Sequence, residues 1–423
     1  MKRVLVITYY WPPAGGPGVQ RWLKFIKYFR DFGIEPVVYI PKNPHYPLMD
    51  ESLIADVPND VKIIAHRIFE PYGVSKLISG KKTKRISSGI ITERNQSALE
   101  RIMLWIRGNL FIPDARKFWV NPSGRFLGPI LKEEGIETII TTGPPHSVHL
   151  IGLKLKELSG LQWIADFRDP WTSIGYHQKL KLTTSAQKKH NELERKVLNT
   201  ADKIVVTSRT TMQEFQGLTT KPIKVITNGF DRVERKPVSL DEKFSISHIG
   251  SMLTKRNPRN LWKVLGELVR ENADFKDSLQ LNFVGVVGQD ILDSLDEFGL
   301  RAYANVIGYV PHEEALIYQE KSQILLLVEI DSKETIGIIP GKFFEYVRAG
   351  RPILGIGPEN WEVAAMIAET ASGAVFDHCQ ESGLKEVLLN WFQLFRENAL
   401  TTSALNIERF SRRELTKQLA DFI

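Results

Sequence analysis

Residues 4–29 decide the fold of this chain. An apolar run, VLVI at residues 4–7, is followed by a turn rich in glycine and proline, PPAGGPG at residues 12–18. Apolar residues then recur at helical spacing, and these are Val19, Trp22, Leu23, Ile26 and Phe29. A short strand that is apolar on both faces and runs through a turn into an amphipathic helix is typical of a parallel β-sheet covered by helices.

The same alternation of strand and helix patterns continues along the chain in two series. The further strands of the first series are predicted at residues 36–40, 61–65, 138–141, 162–166, 203–207 and 223–226. Those of the second series are predicted at residues 245–249, 280–284, 305–307, 324–328, 352–354 and 374–376. Strands that alternate with helices form parallel sheets through right-handed crossovers. We therefore predict an α/β protein with two doubly wound, Rossmann-like domains, at residues 1–230 and 231–405, and interpret residues 72–124 as an insertion in the first.

The composition is that of a globular protein that binds anions rather than nucleic acid. Of the 423 residues, 43% are hydrophobic and 25% are charged, which excludes a disordered or fibrous chain. The net charge of +7 favours anionic ligands or membrane surfaces, but it is too diffuse to predict a nucleic-acid partner. The single cysteine, Cys379, excludes an intramolecular disulfide and a cysteine-based metal site. The run at residues 4–7 is too short for a signal peptide, and no apolar run reaches the ~18 residues of a membrane span, so we expect a cytoplasmic protein.

The turn at residues 12–18 has either a structural or a ligand-binding purpose. Gly16 and Gly18 would let a ligand approach the backbone, and the helix that follows presents its N–H groups to an anion. The alternative is a tight turn between strand and helix. A nicotinamide dinucleotide is disfavoured, because the third glycine of the G-x-G-x-x-G pattern is missing and the second strand ends without a carboxylate.

The corresponding loop of the second series, GSMLTKRNP at residues 250–258, combines a glycine with hydrogen-bond donors and positive charge. Gly250 permits close approach, Ser251 supplies a hydroxyl, and Lys255 and Arg256 supply cations. Such a set suits a diphosphate. The alternative is a solvated basic turn.

Two further loops of the first series carry polar residues directly after a predicted strand. They are GPPHSVH at residues 143–149 and DFRDPW at residues 166–171. Ligands of open α/β sheets bind beyond the carboxyl ends of the strands, where both loops would lie. His146 would then contact a polar substrate, unless it is a structural histidine. Asp169 would either face the substrate or join a network with Arg168.

The most informative segment is IPGKFFEYVRAGRP at residues 339–352. Pro340 suits the start of a helix, and Gly350 suits the position just past its end. Lys342 falls in the first turn, where a cation opposes the helix dipole unless an anion is bound there. Glu345 lies on the same helical face, where its carboxylate would bind ribose hydroxyls or simply pair with Lys342.

These motifs, in this order along the whole chain, resemble the GT-B-type glycosyltransferases of family 4, which retain anomeric configuration. The most specific of them are DFRDPW and the helix that carries Lys342 and Glu345. The resemblance implies two Rossmann-like domains that face each other across a cleft. The first would bind the acceptor and the second a nucleotide-sugar donor. It also implies a transfer with retention, in polysaccharide or glycolipid biosynthesis, with no cofactor and no bound metal.

The resemblance also implies roles for single residues. Glu345 would hold the donor ribose, Lys342 and Arg256 the diphosphate, and residues 406–423 would form a helix that crosses back to the first domain. The chain departs from the family at Gly337, where many members carry a glutamate that contacts the sugar. The predicted catalytic residues are Arg256, Lys342, His146 and Asp169, and the predicted donor-binding residues are Gly16, Gly18, Gly250, Ser251 and Glu345.

Other functions stay open at this stage. The same fold would serve a nucleotide-sugar epimerase or a phosphorylase. Gly337 is also compatible with a protein that binds a nucleotide sugar without turning it over. Release of a free sugar or isomer without any acceptor would identify the epimerase, and binding without turnover would identify the non-catalytic protein.

A membrane surface is a further expected partner, at the inner face of the cell membrane. A helical apolar face is predicted from Leu99, Ile102, Met103, Ile106 and Leu110. It follows a basic run formed by Lys81, Lys82, Lys84 and Arg85. An apolar face beside basic residues is typical of helices that lie in a membrane interface. The alternative is an ordinary helix that packs this face on its own domain.

Overall fold

A computed structural model describes residues 1–70, 98–178, 180–231 and 237–423 of the chain. The chain forms two compact units. The first comprises Met1–Asn228 and Arg412–Ile423, and the second comprises Gly229–Ser411. Each unit contains one parallel sheet with helices between its strands, so the predicted α/β class is confirmed. The basic run between residues 81 and 85 lies outside the described residues.

The first unit is built on a seven-stranded sheet in the order β3-β2-β1-β4-β5-β6-β7. Its strands are β1 (Lys2–Ile7), β2 (Ile34–Pro41), β3 (Lys62–His66), β4 (Thr138–Gly143), β5 (Gln162–Phe167), β6 (Lys203–Val206) and β7 (Ile223–Val225). Its helices up to residue 216 are α1 (Pro17–Phe29), α2 (Ala98–Leu110), α3 (Lys117–Glu133), α4 (Ser147–Ser159), α5 (Gly175–Gln178), α6 (Thr184–Thr200) and α7 (Arg209–Gln216). Leu5 pairs in register with Val37 on one side and Ile139 on the other. All three side chains are buried.

The second unit is built on a six-stranded sheet in the order β10-β9-β8-β11-β12-β13. Its strands are β8 (Phe244–Ile249), β9 (Leu279–Val284), β10 (Ala304–Gly308), β11 (Ile324–Val328), β12 (Ile353–Gly357) and β13 (Gly373–Asp377). Its helices are α8 (Arg259–Glu271), α9 (Ala273–Ser278), α10 (Gln289–Glu297), α11 (His312–Lys321), α12 (Gly341–Ala349), α13 (Glu362–Thr370) and α14 (Ser382–Arg396). The strand order reverses between β8 and β11, and this switch point is where open parallel sheets bind ligands.

The last helix, α15 (Arg412–Phe422), belongs to the first unit. Its residues Leu415 and Leu419 join the buried cluster that contains Trp22 of α1. Arg413 also forms an ion pair of 3.0 Å with Asp31. The amino-terminal and carboxyl-terminal ends of the chain thus share one core.

Helix α2 corrects the prediction for its apolar face. Leu104 and Gly108 form its buried side, whereas Ile102 and Leu110 are 56% and 54% exposed. A Cβ atom on Gly108 would lie 2.6 Å from Leu182, so the glycine permits this close packing. The helix thus packs on its own unit, with Met103 and Ile106 of the predicted face partly buried, and contact of this face with a membrane stays a prediction. Among the described residues, none of the helices combines the length and the hydropathy that a bilayer span requires.

Candidate functional site

The switch point of the second unit gathers most of the residues predicted to bind the donor. Gly250 follows β8 directly, and Glu329 follows β11 directly. Arg256 lies in a single 3-10 turn at Thr254–Arg256, and Lys342 lies in the first turn of α12. The polar groups of four separate segments therefore meet at the carboxyl ends of two adjacent strands.

Gly250 brings the backbone of its loop up against a cation. Its φ angle is +109°, which favours glycine, and its N–H donates a hydrogen bond of 2.7 Å to the Val284 carbonyl. A Cβ atom here would lie 2.9 Å from Lys342 Nζ. Ser251, the next residue, is exposed. The loop thus offers an exposed hydroxyl and lets the Lys342 ammonium lie close to its backbone.

Helix α12 is anchored so that its first turn stays at the end of β8. Pro340 precedes it without a side-chain cap, and Gly350 ends it in the left-handed conformation. The Tyr346 hydroxyl accepts a hydrogen bond of 3.0 Å from the Ile249 N–H. Because Tyr346 is buried, this bond ties the helix to the strand and fixes the position of Lys342 one turn earlier.

The Lys342 ammonium is held by a buried histidine of β8. Its Nζ atom lies 3.2 Å from Nε2 of His248, and Nδ1 of His248 donates a hydrogen bond of 3.0 Å to the Leu326 carbonyl. Burial, together with the nearby Arg256 cation, lowers the pKa of Lys342 to about 8, while Glu329 and Glu345 oppose this shift. Burial and the Lys342 charge hold the pKa of His248 well below its ordinary value, so the ring is neutral.

The second cation, Arg256, is held by a buried carboxylate. Its Nη2 atom lies 2.8 Å from Oε1 and 3.2 Å from Oε2 of Glu329, whose side chain is only 1% exposed. The Ile330 N–H donates a further hydrogen bond of 2.8 Å to Oε1. Because the Arg256 side chain keeps 35% of its surface exposed, its guanidinium is fixed in place and still accessible.

His248 and Glu329 did not emerge from the sequence as site residues. Both, however, carried a signal, since each is a polar residue placed within or directly after an apolar strand, in SISHI and in ILLLVE. A polar side chain at the carboxyl end of a central parallel strand is poorly explained by packing.

Glu345 does not pair with Lys342. Its Oε2 atom accepts a hydrogen bond of 2.8 Å from Gln319 of α11, and its Oε1 atom lies 3.8 Å from Nε2 of His312. The interpretation of Lys342 and Glu345 as a plain ion pair along the helix is therefore wrong. The carboxylate is partly exposed beside α11, and its role toward ribose stays a prediction.

The remaining predicted catalytic residues lie in the first unit. His146 is buried, and its ring stacks on Trp171 with a centroid distance of 4.9 Å. Neither of its ring nitrogens has a hydrogen-bond partner within the described part of the chain. Burial holds the pKa of His146 well below its ordinary value, and burial raises the pKa of the Asp169 carboxyl. Arg256 and Lys342 belong to the second unit, so the structure divides the predicted catalytic set between the units.

Glycine is required at Gly16 and at Gly18 for different structural reasons. Gly16 precedes α1 with a φ angle of +103°, which favours glycine. Gly18 makes room for Arg168, whose guanidinium occupies the space that a Cβ atom would fill. Arg168 itself donates a hydrogen bond of 2.7 Å to the Pro144 carbonyl. Contact of either glycine with a donor stays a prediction.

The first carboxylate of DFRDPW is part of the core. Asp166 accepts hydrogen bonds from Arg21, Trp22 and Thr142 at 2.9, 2.7 and 2.7 Å. The Arg21 and Asp166 side chains are each 1% exposed. Asp166 therefore forms a satisfied network with Arg21 rather than with Arg168. In the described ranges, there is also no group of three or more His, Cys, Asp or Glu side chains arranged to hold a metal ion.

Solved structures share this fold over the full length of the chain. WaaB, a lipopolysaccharide outer core galactosyltransferase, is 14% identical, with 100% of this chain and 99% of that chain covered and a TM-score of 0.59. A TarM variant of S. aureus, solved with fondaparinux, α-GlcNAc-glycerol and UDP, is 11% identical, with coverages of 100% and 99% and a TM-score of 0.56. A Listeria monocytogenes protein described as a UDP-N-acetylglucosamine 2-epimerase is 11% identical, with coverages of 99% and 95% and a TM-score of 0.56. The chain therefore has the two parallel-sheet domains of GT-B glycosyltransferases.

No model of a protein family matches the chain, and no curated protein sequence matches it significantly.

Proposed function

We propose that this protein is a glycosyltransferase that moves a sugar from a nucleotide-sugar donor to a hydroxyl group of an acceptor. The observation that carries the proposal is the pair of fixed cations, Lys342 and Arg256, beside the glycine loop at Gly250 at the switch point. Two cations on a glycine loop suit the diphosphate of a nucleotide sugar. The shared fold with WaaB and TarM, of which TarM was solved with UDP, supports the same assignment.

The chemistry needs little more than charge. The bond between the anomeric carbon and the diphosphate oxygen breaks, and the nucleoside diphosphate leaves with the bonding electrons. The acceptor oxygen bonds to the same carbon, and its proton passes to an oxygen of the leaving diphosphate. Negative charge grows on the leaving diphosphate, and fixed cations such as Lys342 and Arg256 stabilise it without reorganising. Transfer with retention of the anomeric configuration is the course that the family resemblance implies.

The decisive experiment is an assay of the purified protein with single nucleotide sugars and candidate glycan or lipid-linked acceptors. Donors are first selected by thermal shift, because a ligand that binds the folded state raises the melting temperature. A transferase releases nucleoside diphosphate and makes a glycoside only when an acceptor is present. An isomerised or released sugar without an acceptor would instead identify an epimerase, and binding without turnover in every acceptor pool would contradict catalysis.

Glu345 tests the ribose contact. Glu345→Ala is expected to raise KM for the donor about tenfold or more and to change kcat less, because charged hydrogen bonds to hydroxyls contribute about 1.5–3 kcal/mol. The matched control is Glu297→Ala, which removes an exposed carboxylate paired with Arg259. Equal KM values for the Glu345 variant and the wild type would remove Glu345 from the donor site.

Metal removal tests the role of the cations. Activity is expected to survive an excess of EDTA, because Lys342 and Arg256 supply the positive charge that a divalent metal provides elsewhere. The measurement is the initial rate before and after chelation, with Mg²⁺ or Mn²⁺ added back. A rate that collapses with EDTA and returns with either metal contradicts the prediction.

We further propose that the acceptor is bound by the first unit and that this unit touches an anionic membrane. Exposed apolar side chains lie on and beside α2, and they are Phe69, Ile102, Trp105, Leu110 and Phe118. We call this set the aromatic surface. Lys117 lies 5.3 Å from the Phe118 ring centre, and Arg101 is exposed on α2. Apolar and cationic side chains side by side suit the interface of a membrane with anionic lipids.

Vesicle binding tests the aromatic surface. The wild type is expected to sediment with phosphatidylglycerol vesicles at low salt and to leave them as salt screens the charges. The double variant Ile102→Ser with Trp105→Ser is expected to bind several-fold more weakly. The control Tyr309→Ser, which removes an exposed aromatic side chain from the second unit, is expected to bind like the wild type. Wild-type protein that ignores these vesicles even at low salt would exclude the membrane as a partner.

A further inference from the structure

We propose that His248 is a positioning residue that aims the Lys342 ammonium at the diphosphate of the donor. The inference rests on the proposed function, in which Lys342 binds that diphosphate. His248 itself is buried in β8, and its ring contacts Lys342. Its role is to hold the cation, and the role follows from four features of the structure.

The first feature is the direction of the hydrogen bonds through the imidazole ring. The Leu326 carbonyl is only an acceptor, so Nδ1 of His248, 3.0 Å away, must carry the proton that is shared with it. In a neutral ring the other nitrogen, Nε2, is then an acceptor. It lies 3.2 Å from Lys342 Nζ, and the ammonium donates to it. A backbone carbonyl of the neighbouring strand β11 thus sets the tautomer that accepts Lys342.

The second feature is the number of N–H donors of the Lys342 ammonium that His248 leaves unused. A lysine ammonium has three N–H donors, and one of them goes to His248. Within the described part of the chain, His248 is its hydrogen-bond partner, and the Gly250 backbone lies beside Nζ. Two N–H groups are therefore available at the glycine loop, where the diphosphate is proposed to bind.

The third feature is the charge that faces Lys342 from each surrounding segment. Arg256 on the 3-10 turn disfavours the ammonium, whereas Glu329 after β11 and Glu345 on α12 favour it. Burial disfavours it most, so the pKa of Lys342 falls to about 8. Near neutral pH, Lys342 therefore stays protonated, but its pKa is close to the ambient pH. The hydrogen bond that His248 accepts from the ammonium helps to keep it charged.

The fourth feature is the neutrality of the ring itself. A protonated His248 would turn Nε2 into a donor and would repel the ammonium. Burial, the Lys342 charge and the Arg256 charge keep the pKa of His248 well below its ordinary value, while backbone hydrogen bonds with Leu326 and Ser251 oppose this shift. The ring therefore stays an acceptor throughout the neutral range, which a surface histidine would not do.

Two variants separate positioning from packing. His248→Gln keeps an acceptor near the place of Nε2, and His248→Met fills similar space without one. Both lose the hydrogen bond to the Leu326 carbonyl, so they share the same cost to folding, which thermal melting measures. The difference between them therefore reports on the bond to Lys342.

The readout is the affinity for UDP, GDP and ADP, measured by titration calorimetry between pH 6.5 and 9.5. The wild type is expected to lose affinity for its nucleotide as pH rises through about 8, where Lys342 loses its proton. His248→Met is expected to bind about tenfold more weakly at pH 7 and to lose affinity at lower pH than the wild type. His248→Gln is expected to restore most of the affinity at pH 7 and most of the wild-type pH dependence. When Lys342→Met is also present, His248→Gln and His248→Met are expected to bind the nucleotide equally.

The outcomes distinguish this inference from the proposed function. If the wild type binds none of the three nucleotides, the donor site and the role of His248 both fall. If the wild type binds one of them and His248→Met matches it in affinity and in pH dependence, only the role of His248 falls. The same follows if His248→Gln is as weak as His248→Met, because the acceptor would then not matter.

Discussion

Lys342→Met is expected to lower kcat by about two to three orders of magnitude, the cost usually seen when one fixed donor to a developing negative charge is removed. The methionine matches the apolar stem of lysine as far as Cε and lacks only the ammonium, so the packing of α12 against β8 stays. The loss should appear in kcat rather than in the melting temperature. The measurement is steady-state kinetics with saturating acceptor, beside thermal melting of both proteins.

The matched control is Lys276→Met. Lys276 lies in α9, which directly precedes β9, so it is at the amino-terminal edge of the sheet. This substitution removes an exposed lysine far along the strands from Gly250 and is expected to change kcat less than twofold. If Lys342→Met retained more than about a tenth of the wild-type kcat, the charge on the leaving diphosphate would have to be stabilised elsewhere.

Asp166→Ala is expected to destabilise the first unit by about 3–5 kcal/mol, because it leaves the Arg21 charge buried without its partner. The carboxylate also accepts from Trp22 and Thr142, so two further donors lose their acceptor. The measurement is calorimetric unfolding, in which the transition of the first unit should shift to lower temperature. The transition of the second unit, Gly229–Ser411, should keep its position.

An exposed ion pair of the same unit provides the comparison. Glu157 and Lys196 are 53% and 55% exposed, and pairs of this kind contribute about 0–1 kcal/mol. Glu157→Ala is therefore expected to move the transition by a degree or two at most. Similar shifts for Glu157→Ala and Asp166→Ala would mean that the Asp166 network does not stabilise the unit.

Local sequence patterns predicted most of the fold, because the buried strands of a parallel sheet are recognisable in the sequence as short apolar runs. The segment at residues 339–352 also placed α12 correctly between Pro340 and Gly350, since both ends of that helix depend on local backbone preferences. Lys342 in its first turn followed directly. What a single segment could specify was therefore predicted well.

The partners of the site residues could not be predicted in the same way, because they come from distant segments. Lys342 meets His248 across 94 positions of the chain, and Arg256 meets Glu329 across 73. The buried side of α2 could not be predicted for a related reason. Helical spacing shows which residues share a side, but the close approach of Leu182 to Gly108 decides which side is buried.

The return of α15 to the first unit has a consequence for synthesis on the ribosome. The core that contains Trp22 of α1 is completed by Leu415 and Leu419, which are made only after all of Gly229–Ser411. Translation of that stretch takes on the order of ten seconds or more at about 5–20 residues per second. During this time the second unit is being made, and α1 remains with part of its apolar face uncovered. The first unit therefore completes its core only after the whole second unit has been translated.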